Sequence, residues 1–211
     1  MVFLVFEGLD GSGKSSLIDR LRWELELRSI TYHLTREPGG TALGDELREI
    51  ILRKTPPHPT PRAELLLYEA SRAQHVDEVI RPKLAQGVWV ISDRFSASSI
   101  AFQAGGRQIP VEAVEALNEF ATAGLRPDLT VLLDLTVEES RRRQGTRGTV
   151  SDRIESEDDT FHERVRQSFL AQARKEPSRW LVLDASRPIE ELAQELLRTL
   201  KEKKWIGSPT A

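Results

Sequence analysis

The chain has 211 residues, 30% of them charged, with a net charge of −3 and no cysteine. That length suits one large α/β domain with a substantial core. The near-neutral balance argues against bulk nucleic-acid binding, which needs a basic face; the missing cysteines exclude disulfides and thiolate metal sites and fit a cytoplasmic protein.

In chain order, the first predicted element is an apolar strand, Val2–Phe6. Five residues without a basic flank are too few for a signal peptide or a membrane span, so no membrane partner is expected. The strand meets Gly8-Leu9-Asp10-Gly11-Ser12-Gly13-Lys14-Ser15, with the spacing G-x-x-x-x-G-K-S/T of a phosphate-binding loop. The glycines let backbone N–H groups turn inward around phosphate oxygens, and the helix that follows, Lys14–Arg28, points its positive end at the same anion. Gly8, Asp10, Gly11, Ser12, Gly13, Lys14, Ser15 and Ser16 are therefore the expected nucleotide-binding residues, which the resemblance given below implies are ATP-binding. Lys14 would reach the β- and γ-phosphates, and Ser15 would ligate Mg²⁺. A chance glycine-rich turn is the bland alternative, but the strand before and the helix after are the context the motif demands.

A second strand, Thr31–Thr35, runs into the turn Thr35-Arg36-Glu37-Pro38-Gly39-Gly40-Thr41, where Pro-Gly-Gly gives rigidity and close backbone approach. Helices Ala42–Arg53 and Pro61–Gln86 flank a proline-rich loop, Thr55–Pro61, too short to separate domains. The third strand, Val88–Ser92, ends at Asp93-Arg94. Asp93 could hold Mg²⁺ directly or through water, or simply cap a helix; the upstream loop favours the metal. Arg94 is a natural fork for a second phosphate. Then come helix Val111–Thr122, strand Leu129–Asp134, helix Val137–Arg143, helix Asp159–Lys175, strand Trp180–Asp184 and helix Ile189–Lys203. Apolar strands alternating with helices predict a five-stranded, doubly wound parallel sheet in a single domain, residues 1–206, with ligands at the carboxyl ends of the strands; residues 207–211 read as a disordered tail.

Between two of these helices, Gln144–Glu157 is polar, glycine-bearing and poor in apolar anchors, and is expected to be a mobile loop. Around it lie Arg141, Arg142, Arg143, Arg147 and Arg153. They are either a solvated helix end or a lid that brings arginine to the transferring phosphate. The phosphate loop has Gly11 and Ser12 where it could have carried its own arginine, which favours the lid. The four histidines show no metal-ligand spacing, and the four tryptophans are expected to pack in helices and strands.

The phosphate loop, TREPGGT, DRFSASSIAFQ (Asp93–Gln103) and DRIE (Asp152–Glu155), in that order, resemble the bacterial thymidylate kinases over about Val2 to Leu200. The resemblance implies a phosphate-loop kinase fold with a lid at about 144–157, ATP with Mg²⁺ as donor and dTMP as acceptor, dTDP and ADP as products, a place in dTTP synthesis, and a homodimer. It implies Tyr68 stacking on thymine, with Arg72 one helical turn later hydrogen-bonding its edge. Ser99 and Gln103 would be further base-facing groups, Arg48 and Arg94 would hold the dTMP phosphate, and Asp10 would meet the 3′-hydroxyl. Glu37 would lie near the acceptor phosphate, and Phe102 would exclude a 2′-hydroxyl. Lys14, Arg94, Arg147 and Arg153 are the implied catalytic cations. Phe95, Phe102 and Tyr68 each differ by one hydroxyl from the ring the family commonly carries.

Transfer onto an ionised phosphate oxygen needs positioning and charge stabilisation and no general base. A deoxynucleoside kinase would need a carboxylate base, for which Glu37 could serve, but Arg48 and Arg94 would then face a neutral substrate. A GTPase switch would carry an N-K-x-D element; the only asparagine, Asn118, is followed by Glu119. A DNA-dependent ATPase module fits neither the charge nor the length.

Overall fold

A computed structural model describes residues 1–146 and 151–207. Strands β1 (Phe3–Glu7), β2 (Tyr32–Arg36), β3 (Trp89–Asp93), β4 (Leu129–Asp134) and β5 (Trp180–Asp184) form one sheet in the order β2-β3-β1-β4-β5, with every pair parallel. This is the expected doubly wound sheet. The first three strands end one residue later than their apolar runs. The ladder continues through charged ends, pairing Arg36 with Asp93 and Glu7 with Leu132, because backbone pairing is indifferent to the side chain.

Helices cover both faces. Leu4 and Phe6 of β1 join the core beneath α1 (Lys14–Glu26) and α9 (Ile189–Glu202), which buries Leu192, Leu196 and Leu200 at helical spacing. Phe3 and Val5 pack on the opposite face with Val76, Ile80 and Phe95. Period-2 alternation therefore carries Glu7 onto the same face as Phe3 and Val5. α2 (Ala42–Leu52), α6 (Val111–Thr122) and α8 (Asp159–Lys175) complete the layers. Trp23 departs from expectation: it is 57% exposed, on the outer side of α1.

The helix expected over Pro61–Gln86 is α3 (Pro61–His75), a π segment at Val76–Ile80 and α4 (Arg81–Ala85). Pro82 has no N–H to donate and crowds the preceding turn, so the hydrogen-bond register changes just before it. A further helical stretch, α5 (Ser96–Ser99) continuing as a π segment through Ile100–Gly106, has no clear sequence pattern. Serines and glycines are weak helix formers, and here tertiary contacts decide. Gly106 lies against α8 so closely that an added Cβ would sit 2.4 Å from the Phe161 ring.

The loop expected to be mobile is fastened at both described ends. α7 (Val137–Thr146) runs past Arg143, so Gln144, Gly145 and Thr146 are helical. Residues 151–157 form turns in which the Glu155 N–H donates to Asp152 Oδ1 (2.8 Å) and the Asp152 N–H donates to Glu155 Oε2 (2.9 Å). Ile154 is the apolar anchor; it is 5% exposed and packs with Phe161 and Val165. Arg147 and residues 208–211 lie outside the described residues. Among the described residues no helix is long and apolar enough to cross a membrane.

Gly106→Ala should overpack the junction with Phe161 and destabilise the fold by about 1–3 kcal/mol. A denaturant midpoint equal to that of the parent chain would contradict this packing.

Candidate active site

The loop after β1 sits at the carboxyl end of the central strand, between β3 and β4, where the strand order switches sides and ligands are received in this architecture. Gly8 has φ +137° and passes so close to β4 that a Cβ would lie 2.5 Å from the Leu133 carbonyl oxygen. Gly13 caps α1 without a side-chain bond, so the first N–H groups of that helix remain available to an anion. The Lys14 ammonium folds back over the loop, donating to the carbonyls of Gly8 (3.2 Å) and Leu9 (3.4 Å), 3.7 Å from Asp10. Ser15 and Ser16 are exposed on the first turn of α1; Ser12 is buried with its hydroxyl unpartnered. Beside the loop, Gly11, Ser12, Gly13, Ser16, Arg143 and Arg187 line an open depression of about 540 Å³.

On the other side, Asp10, Glu37, Arg48, Tyr68, Arg72, Arg94, Ser99, Phe102 and Gln103 all line one cleft, joined by Asp152, Ile154 and Glu155. Arg94, at φ +74°, is held in that unusual backbone by its surroundings. Its guanidinium donates to Asp10 (2.8 Å) and Ser98 (3.4 Å), lies 3.7 Å from Glu7 and stacks 5.0 Å from the Phe102 ring centre. Burial works against the charged form of Asp10, but Arg94 and Lys14 prevail and hold its carboxyl at about 2. Arg48 makes one hydrogen bond, to the Pro38 carbonyl (2.9 Å), and has no ion pair among the described residues. A second cavity, of about 430 Å³, lies behind Phe95 between α6 and α8 and contains no phosphate-loop side chain.

A thymidylate kinase sequence profile matches residues 6–196. The chain belongs to the thymidylate kinase family. It is 64% identical over 210 residues, 98% of each chain, to a thymidylate kinase of Bdellovibrio bacteriovorus. It is 50% identical over 192 residues to one of Clavibacter michiganensis subsp. michiganensis, covering 91% of this chain and 90% of the other. It is 44% identical over 202 residues to one of Methylobacillus flagellatus, covering 96% and 98%.

In this thymidylate kinase family member the two candidate metal ligands are oxygen donors. Among the described residues Asp93 Oδ1 is buried without a hydrogen-bond partner, and Ser15 is exposed at the start of α1. A lone carboxylate oxygen with a hydroxyl suits Mg²⁺, which takes few protein ligands and completes its shell with water and phosphate. Among the described residues no cluster of three or more His, Cys, Asp or Glu could hold a metal by itself.

Arg72 and Arg153 depart from simple expectation. Arg72 is 1% exposed and donates to Glu37 (2.8 Å), Glu69 (2.7 Å), Ser99 (2.8 Å), Asn118 (2.8 Å) and the Phe95 carbonyl (3.1 Å). It is the strut of the cleft as well as part of its lining. Arg153 is spent on Glu64 (2.6 Å) and the Ile51 carbonyl (3.0 Å), because the buried Glu64 carboxylate demands cations; it does not line the cleft, whereas Arg94 does.

Several residues of the site carried no readable signal. His75 is fully buried, with Nδ1 3.0 Å from Glu37 and Nε2 2.6 Å from the Thr35 hydroxyl, so it orients Glu37. Asn118 links Arg72 to the Ser96 carbonyl. Glu7 alone was detectable in principle, as a charge at the end of an apolar strand. It is fully buried, accepts from the Phe95 N–H (3.0 Å) and the Ser98 hydroxyl (2.6 Å), and is pushed by burial from 4.5 up to about 7, with Arg94 opposing.

Folding therefore takes up a proton at Glu7 between pH 4.5 and about 7, and the stability this site contributes falls as pH rises through that window. Glu7→Gln should flatten the stability–pH curve between pH 5 and 7, read by denaturant melts at each pH. Identical slopes in both proteins would refute the assignment.

Proposed function

We propose that the protein transfers the γ-phosphate of ATP to dTMP, giving dTDP and ADP, in the cytoplasmic supply of dTTP. The observation that carries this reading is the junction of two anion-adapted sites. The phosphate loop and the acceptor cleft share Asp10, and the cleft holds Arg48, a half-buried cation with no carboxylate paired to it. Such a cation calls for an anionic ligand.

The loop amides and Lys14 bind the β- and γ-phosphates of ATP, and the depression beside Arg143 and Arg187 receives the rest of the donor. Arg48 and Arg94 hold the acceptor phosphate, and Asp10, ionised at neutral pH, accepts from the 3′-hydroxyl. Phe102 closes the space a 2′-hydroxyl would need. Tyr68 stacks on the base, whose edge meets Ser99, Gln103 and the Arg72 guanidinium. Ser15 and Asp93 would hold Mg²⁺, which would supply positive charge to stabilise the phosphate oxygens. Lys14, Arg94 and Arg147 are the cations we assign to charge developing in transfer; Arg153 acts through Glu64 in the wall. Glu37, ion-paired to Arg72 and held by His75, is a positioning residue rather than a base. A deoxynucleoside kinase fits less well, because Arg48 would face a neutral substrate.

A homodimer accompanies this reading, and we infer no nucleic-acid or membrane partner. α2, α3 and α6, which pack side by side, expose Leu43, Ile50, Leu66 and Phe120, the last at 84%. Apolar side chains concentrated on adjacent helices suit an isologous contact between two copies. Phe120→Asp should convert dimer to monomer in sedimentation velocity; a parent chain that sediments as a monomer would remove the dimer from the proposal.

The activity is tested by coupled ADP release against a panel of nucleoside monophosphates and nucleosides. dTMP should be the preferred acceptor. Arg48→Ala should raise the dTMP KM about tenfold to a hundredfold, the usual value of a charge-assisted hydrogen bond, and leave the ATP KM nearly unchanged. Equal rises in both constants would place Arg48 outside the acceptor site.

A further inference from the structure

Gln103, 1% exposed at the base end of the cleft, donates from Nε2 to Glu64 Oε1 (3.1 Å). Glu64 is itself 1% exposed and accepts from Arg107 at both oxygens (3.1 Å each) and from Arg153 (2.6 Å). Burial alone would raise its pKa, but hydrogen bonds and charge from Arg107, with help from Gln103 and Arg153, hold it below the ordinary range. An ionised carboxylate has no proton to donate, so only the NH₂ end of the Gln103 amide can face it. The amide oxygen is thereby left for the cleft, with no donor to it among the described residues.

We propose that Glu64 is a specificity-determining positioning residue that locks the Gln103 amide so that the cleft presents an acceptor to pyrimidine N3. This deepens the proposed function and rests on it. Thymine and uracil carry N3–H and satisfy that acceptor. Cytosine carries a bare N3 lone pair and an exocyclic amine, the mirrored pattern. Binding it in the same pose requires a flipped amide, which would set Gln103 Oε1 against the buried Glu64 carboxylate. A site whose buried polar group cannot be satisfied rejects the wrong ligand strongly. The same carboxylate fastens the turn at 151–157: Arg153 reaches it directly, and Arg107 bridges Glu64 to Glu157 (2.6 Å) while stacking 4.8 Å from the Phe161 ring centre. Glu64 is thus held by three side chains, Gln103, Arg107 and Arg153, and the two arginines supply the rigidity that a lock on a neutral amide needs.

The test compares kcat/KM for dTMP, dUMP and dCMP in the full chain. The parent enzyme should favour dTMP and dUMP over dCMP. Glu64→Gln frees the amide and should shrink the dTMP:dCMP ratio at least about tenfold while the dTMP:dUMP ratio stays within about twofold. Should thermal melting show Glu64→Gln unfolded, the charge-balanced double variant Glu64→Gln/Arg107→Gln carries the same expectation. A folded Glu64→Gln variant, single or double, with an unchanged dTMP:dCMP ratio, a parallel loss on all three substrates, or a parent enzyme that uses dCMP as readily as dTMP overturns the inference. A parent enzyme inactive on dTMP overturns the proposed function instead.

Discussion

The arginines that wall the acceptor cleft can be buried only because carboxylates are buried with them. Arg94 stands between Glu7 and Asp10, Arg72 between Glu37 and Glu69, and Arg107 and Arg153 converge on Glu64. An isolated guanidinium or carboxylate at these depths would be strongly destabilising; pairing offsets part of that cost and ties the partners together. Each network also crosses elements. β1 is tied to the segment after β3, the turn after β2 to α3, and α3 to both the π segment and the turn at 151–157. The hydrophobic core holds the layers together, while these charges set the shape of the cleft between them.

Arg48 is the exception, and that asymmetry gives the cleft its polarity. At the base end every cation is satisfied within the protein, leaving directed polar groups on a rigid wall. At the loop end Arg48 has only a carbonyl, beside Arg94, whose partner Asp10 also touches Lys14. Burial pushes Asp152 and Glu155 above the usual carboxylate range in the same cleft. In the proposed function an acceptor phosphate there would complete the charge balance next to the donor loop, and charge stabilisation would need no reorganisation of the wall during transfer.

The turn at 151–157 illustrates how local composition misleads. Its polarity suggested a free loop, yet a single isoleucine, two reciprocal side-chain-to-backbone bonds and two grips from Arg141 on the Glu155 and Glu157 carbonyls hold it down. One apolar residue among charges has little weight in a composition window, but it has full weight when Phe161 and Val165 wait beneath it. Arg153 likewise reads as a lid cation from its neighbours in the chain. Its partner, Glu64, is eighty-nine positions away.

By itself the sequence determined the alternation of strands and helices, the parallel sheet, the phosphate loop from Gly8 to Ser15 and the carboxylate Asp93. Those are local properties, set by periodicity and by spacing along a few residues. Family resemblance added acceptor roles for Asp10 and Arg94 and named Glu37, Arg48, Tyr68, Arg72, Ser99, Phe102 and Gln103 beside them, and the fold gathers all nine into one cleft. Tertiary structure alone decided the π segments, the helix after Arg94, the part of Arg72 as a strut, and the second tier of Glu7, Glu64, His75, Arg107 and Asn118. Those assignments depend on which buried charge meets which partner across distant elements. No pattern along the chain records that, because the energy of a buried ion is set by what surrounds it in space.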